Sequence, residues 1–287
     1  MVTKRQWTVI RGGRLLDASR HRADRCDILI DGDVIKAVGK PGLAAPAVAT
    51  AGPWLNGNRT IEDRYLSTVI GAAEMVLKGC TACYDLTVDF PTPSVEGLTA
   101  AGRAYEEIGM RAVLAPMVSD ISFFEAIPGL MEMLTPALQK DVARLKQAPG
   151  KETLKNIRQA LRKWKFDHDS VRPAVAPTIP HHCSDAFLTG CRDLAKEFAV
   201  GLHTHVAESK VQVIAGLRRY GSTLTAHLDK LGLIGPDFTV AHGVWLDADD
   251  MRLLGCRGAS VAHNPGSNMR LGNGLADMRG MLGRGVN

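Results

Sequence analysis

Between residues 60 and 283, short apolar runs and amphipathic stretches take strict turns, and this alternation limits the fold more than any other feature of the chain. The runs 80–86, 111–116, 171–177, 201–205, 238–242 and 259–263 read as strands. The stretches 60–78, 95–108, 184–198, 210–220, 223–231, 247–257 and 275–283 read as helices, the first opened by Thr60 with Glu62 and Asp63 in its first turn and closed by Gly79. Strands that are apolar along both faces must be covered on both sides, which is the condition of a parallel sheet. Six of them, with histidines or charged groups repeatedly at their carboxyl ends, predict an α/β chain of the (β/α)8 TIM-like barrel type rather than an open sheet.

Ahead of the alternation lies a small β unit, residues 1–40. Its strands fall at 7–10, 26–30 and 34–38, with Asp31-Gly32-Asp33 as the turn between the last two. A unit of this size does not bury enough surface to stand alone and is expected to pack on other parts of the chain. Residues 41–58, rich in Gly, Ala and Pro, read as a linker or interrupted segment, and residues 59–287 as the (β/α) barrel domain. A polar and amphipathic insertion, 119–167, interrupts the alternation and reads as mostly helical; Phe123 and Phe124 at its start are either lid contacts or apolar anchors.

With 287 residues, 45% of them hydrophobic, the chain can bury a substantial core. Its net charge of +5 is spread, and the most basic stretch, 151–165, has the spacing of a solvated helix face, so no nucleic-acid partner is expected. No apolar run reaches the roughly 20 residues of a membrane span and no signal peptide is visible, so a cytoplasmic protein is expected. The six cysteines lack the spacing of a disulfide framework. Cys80-Thr81-Ala82-Cys83 has no second pair and is read as buried small hydrophobes in a strand.

The chemistry gathers at Gly201-Leu202-His203-Thr204-His205-Val206-Ala207-Glu208. Side chains two apart on a strand share a face, so His203 and His205 can look into one cavity, and Glu208 falls where the strand has passed into its loop. His205 is read as a metal ligand and Glu208 as a proton-transfer carboxylate; the alternative is a pair of core histidines satisfied by hydrogen bonds. His242 and His263 end two further apolar runs, and barrel strands converge at their carboxyl ends on one mouth.

His205-x-x-Glu208 preceded by His203, Ala241-His242, and Val261-Ala262-His263-Asn264-Pro265-Gly266-Ser267-Asn268 followed by Leu271 and Gly274 resemble the metal-dependent amidohydrolase superfamily. The branch is that of the methylthioadenosine and S-adenosylhomocysteine deaminases, guanine deaminase and the triazine hydrolases. The turn from Lys78 to Asp85 and the 26–38 hairpin are similar to that branch as well. The resemblance implies one divalent metal, zinc first with iron or manganese as alternatives, bound by His205. Glu208 would move the proton onto the departing group, and His242 would be a ligand or polarise the attacked centre. His263 and Asn264 would shape the pocket wall, and His203, Thr178 and His181 would face the substrate. Thr178 stands where the nucleoside deaminases carry a substrate-contacting histidine, a departure that weakens the case for a methylthioadenosine-type substrate; His181 and His182 either line the pocket instead or belong to a surface loop. The expected partner is a small heterocycle that loses ammonia; a triazine-type chlorohydrolase or aminohydrolase, a cyclic amide hydrolase and a metal-free barrel are the alternatives. A homodimer is the expected assembly for an enzyme of this size.

The family's first strand ends in His-x-His, yet no histidine occurs between His21 and His168, and the family's eighth strand, with its Asp, would begin at about Asn287. The barrel is thus expected to be incomplete as given, with its first and eighth strands missing. The intact protein is expected to carry a His-x-His near positions 42–53 and an Asp after Asn287.

Overall fold

The computed structural model describes residues 7–17, 22–31, 34–39, 59–127, 129–143 and 147–287, and the chain divides into two units, Met1–Asn58 and Arg59–Asn287. The first unit is an antiparallel three-stranded sheet of β1 (Trp7–Asp17), β2 (Arg22–Asp31) and β3 (Val34–Gly39), in the order β1-β2-β3. The strands run longer than the apolar periodicity predicts, because pairing continues past a register shift between Ile10 and Gly13 into residues with no apolar alternation. Asp31 lies opposite Val34. The turn residues Gly32 and Asp33 and the linker 41–58 lie outside the described residues.

The second unit contains six parallel strands: β4 (Ala82–Thr87), β5 (Arg111–Val118), β6 (Val171–Pro177), β7 (Gly201–Val206), β8 (Phe238–His242) and β9 (Ser260–Ala262). Their order in the sheet is their order in the sequence. A doubly wound sheet reverses direction at a switch point so that helices cover both faces; a sheet wound one way keeps its crossover helices on one face and curls around the other. The six strands are therefore consecutive staves of an incomplete TIM-like barrel.

Side chains sort accordingly. Leu202 and Val206 of β7, Phe238 and Val240 of β8 and Val175 of β6 point outward into the main core beneath the helices, with Leu188, Leu194, Leu228 and Leu254. The inner face of β4, β5 and β6 is lined by small or slender groups, Ala115, Ala174 and Ala176 with Tyr84, Leu86, Val113 and Met117. Alternation along β7 then sends His203 and His205 inward.

Helices α1 (Ile61–Leu77), α2 (Val95–Ile108), α7 (Asp185–Phe198), α8 (Lys210–Tyr220), α9 (Leu224–Lys230) and α10 (Ala248–Cys256) follow the predicted periodicity to within two residues at either end. The insertion is helical, as α3 (Phe123–Ala126), α4 (Leu130–Met133), α5 (Pro136–Ala143) and α6 (Gly150–Arg162). Three expectations are corrected. Cys80 is exposed and precedes β4, because the chain is still turning out of α1 through Gly79. The last helix, α12, is only Met278–Leu282. A helix absent from the periodicity reading, α11 (Pro265–Leu271), starts directly after the β9 loop, with Pro265 at its first position, where the missing N–H is not needed. Beyond α12 the chain returns to the sheet: the Val261 amide donates to the Asn287 carbonyl at 2.8 Å on the edge of β9.

Candidate active site at the strand ends

Three groups meet at the carboxyl ends of β7 and β8. The His205 ring lies with its Nδ1 2.6 Å from the Thr178 carbonyl oxygen, which also accepts the His205 backbone N–H at 3.0 Å. A carbonyl only accepts, so Nδ1 carries the proton and the Nε2 lone pair is free. Burial pushes the His205 pKa down, opposed by that Thr178 bond, and the ring is neutral.

His242 closes β8 with φ +75, a left-handed conformation that a residue with a side chain seldom adopts, and Gly243 follows at φ +57. The strand thus turns abruptly and leaves the imidazole at its end. His242 Nδ1 lies 2.6 Å from Asn268 Oδ1, and Nε2 lies 3.7 Å from Glu208 Oε1. The rings of His205 and His242 are stacked, centroids 5.2 Å apart.

Glu208 reaches the same place because Ala207, also left-handed at φ 51, bends the chain after β7. Two neutral amides hold its carboxylate: Asn273 Nδ2 donates to Oε1 at 3.1 Å and Gln212 Nε2 to Oε2 at 3.3 Å. The Gln212 side chain also accepts the Glu208 backbone N–H.

His203 sits deeper on the same face, 2% exposed, its ring 4.4 Å from that of Tyr84 and 6.3 Å from that of His205. Among the described residues neither of its ring nitrogens has a hydrogen-bond partner, and burial drives its pKa down to about 3. It is a neutral, desolvated imidazole facing the interior.

The other expected residues stand apart from this trio. His181 lies in the short 3-10 turn Pro180–His182, edge-to-face with His182, and its carbonyl accepts from Arg219. Burial holds both rings down to about 4. His263 has a buried Nδ1 without a partner among the described residues, and the Asn264 amide donates back to the Ala262 carbonyl. No hydrogen bond or ring contact among the described residues joins His181, His263 or Asn264 to His205, His242 or Glu208. The Thr178 hydroxyl approaches Met117 Sδ at 3.9 Å, while its carbonyl is what touches the trio.

Sequence reasoning attached no role to Gln212, Asn268 or Asn273. Gln212 was accessible as an i,i+4 partner of Glu208 at a helix start. Asn268 stands at the end of the family-like run 261–268 without a role assigned to it, and Asn273 carries no local signal, because it reaches the site from beyond β9.

The donor chemistry suits a divalent metal. Two imidazoles, each with Nδ1 against an oxygen acceptor and Nε2 as its other ring donor, and a carboxylate bonded by two side-chain amides are donors of the kind a borderline-soft cation takes. The set is partial: a catalytic zinc takes three protein ligands, and among the described residues no three His, Cys, Asp or Glu side chains gather to hold an ion.

Residues 46–287 match the Amidohydrolase family. The chain is 34% identical over 223 residues to a 5-methylthioadenosine/S-adenosylhomocysteine deaminase of Syntrophobacter fumaroxidans, an alignment covering 78% of this chain and 44% of that protein. It is 31% identical over 229 residues to a 5'-deoxyadenosine deaminase of Methanosarcina mazei, covering 79% and 46%. The chain thus spans less than half the length of these curated relatives. Among solved structures, the zinc complex of an atrazine chlorohydrolase from Arthrobacter aurescens superposes with a TM-score of 0.69 at 21% identity, over 97% of this chain and 70% of that one. A zinc-bound adenosine deaminase from Xanthomonas campestris gives 0.66 at 19%, over 97% and 67%. With a family match over most of its length, this chain belongs to the Amidohydrolase family.

Proposed function

We propose that the protein is a metal-dependent hydrolase acting on carbon–nitrogen bonds other than peptide bonds, releasing ammonia from an amino-substituted heterocycle. The observation that carries this reading is the meeting of the stacked His205 and His242 rings with the Glu208 carboxylate at adjacent strand ends, His242 Nε2 lying 3.7 Å from Glu208 Oε1. His205 and His242 would hold one divalent ion, zinc before iron or manganese, with further ligands from outside the described residues. When bound, that ion supplies a nucleophile at neutral pH by lowering the pKa of its water to about 7.

The chain's own part is proton handling and placement. Glu208, held at both oxygens by side-chain amides, accepts a proton on one side and gives it to the departing amine on the other, a contribution on the order of 10²–10⁴-fold. His203, desolvated and neutral, offers one ring N–H and one lone pair to the edge of a heterocycle. Thr178, His181, His263 and Asn264 are proposed to line the substrate side. The relatives' names favour a 5'-modified adenosine as the first substrate to try. No described helix is long and apolar enough to cross a membrane, and a soluble protein, cytoplasmic and homodimeric, is the proposal.

The test is ammonia release across purine nucleosides, free purines, pyrimidines and aminotriazines, with protein loaded with zinc, iron or manganese. Release from one class, lost in Glu208→Gln, is the expected result. A protein that binds metal yet releases ammonia from no member would overturn the reading.

A further inference from the structure

The two asparagines that sequence reasoning passed over arise from one short stretch and reach two different strand ends. Asn268 lies within α11 and is fully buried, with Oδ1 2.6 Å from Nδ1 of His242 at the end of β8. Asn273 follows that helix, between Gly272 at φ +71 and Gly274 at φ +108, and its Nδ2 donates to Oε1 of Glu208 beyond the end of β7. We infer that α11 and its following loop form a positioning clamp: Asn268 sets which nitrogen of His242 bears the proton, and Asn273 sets where the Glu208 carboxylate rests.

The clamp is itself held at several points. The Asn273 backbone N–H donates to the Asn268 carbonyl at 2.8 Å, tying the two amides to each other. The Trp245 indole N–H donates to the Asn273 carbonyl at 2.9 Å, and the Trp245 backbone N–H donates to the Ala207 carbonyl at 2.8 Å, one residue before Glu208. A ring of contacts thus runs from the end of β7 through Trp245 and Asn273 to Glu208. The flanking glycines matter here, since a side chain at φ +108 is strained and Asn273 has to be presented between two reversals of the backbone.

The chemistry follows from the inventory of donors. Asn268 Oδ1 is an acceptor, so His242 donates from Nδ1, while its Nε2 faces Glu208 Oε1 at 3.7 Å. Asn273 contributes a neutral donor, which orders the carboxylate without neutralising it. The inference deepens the proposed hydrolase reading, and the tautomer half of it stands or falls without that reading.

The test uses the whole protein labelled with 15N-histidine. Long-range 1H–15N correlation is expected to show His242 as the Nδ1–H tautomer, retained in Asn268→Asp, which keeps an oxygen at the same place, and lost in Asn268→Leu. An Nε2–H tautomer in the unmodified protein, or an unchanged tautomer in a folded Asn268→Leu, overturns the Asn268 half; if Asn268→Leu does not fold, the unmodified spectrum decides. For Asn273, the Ala variant is expected to lower kcat about 10–100-fold, the usual scale for losing a positioning partner, with KM within about twofold and metal content unchanged. Asn273→Gln, which can return a donor amide, is expected to restore part of kcat. A matching loss of metal content, or no loss of kcat, overturns the Asn273 half. If the unmodified protein releases no ammonia, the hydrolase reading fails while the tautomer result still decides the Asn268 half.

Discussion

The Nδ1 of His205 and the carbonyl oxygen of Thr178 lie 2.6 Å apart, across the gap between β7 and the end of β6. This contact fixes the tautomer of the imidazole from the backbone of a neighbouring stave, so the identity of the residue at 178 does not enter it.

A direct consequence concerns metal uptake. Zinc, iron or manganese is expected to raise the Tm of the unmodified protein and a chelator to reverse the rise, and His205→Ala should abolish it. Thr178→Val should leave it intact, because the carbonyl stays, while altering KM for any heterocycle that the hydroxyl touches. Thermal melts with and without metal, followed by elemental analysis, would check both; a Thr178→Val protein that no longer takes up metal would count against the backbone assignment.

The buried pair His181 and His182 makes the fold sensitive to acid. Each ring is held down to about 4, against an ordinary value of 6.5 in the unfolded chain, chiefly by burial. Above 6.5 both states are neutral and the stability is full. As the pH falls from 6.5 toward 4 the unfolded chain binds protons that the fold refuses, so stability declines by on the order of 3 kcal/mol for one such ring. Urea titrations between pH 7 and 4 should show this decline, and His181→Phe should make it shallower, leaving the part due to His182.

Phe238 carries much of the outward face of β8 and is 1% exposed. Phe238→Ala should cost about 3–5 kcal/mol by chemical denaturation, the range for emptying a large aromatic site. A loss below about 1 kcal/mol would mean that the main core does not close over this strand.

Gly255, in α10, has no room for a methyl group: a Cβ there would run into the carbonyl oxygen of Arg284. Alanine ordinarily favours a helix by up to about 1 kcal/mol over glycine. Here Gly255→Ala should instead destabilise, by about 1–3 kcal/mol, because the 284–287 segment must move off the edge of β9. Hydrogen exchange at the Val261 amide, which donates to Asn287, should quicken in the variant.

The sequence by itself determined the staves and their coverings. Apolar runs and amphipathic stretches repeat with the two backbone periods, and local periodicity is what a linear reading can see: α2, β6 and β8 fall at the residues their patterns mark. It also placed His205, Glu208 and His242 at strand ends, since a barrel winding brings those ends together. The tertiary structure alone decided how the groups are set. The Thr178 carbonyl, Asn268 and Asn273 act on residues 27, 26 and 65 positions away, through contacts that leave no period in the chain. The left-handed turns at Ala207 and His242 are held by surrounding packing against the preference of both residues, which is why no local rule announces them. Helix α11 escaped the periodicity reading for a related reason: of its residues only Asn268 is buried, so it presents no apolar stripe, and its place is set by the amide it delivers to His242.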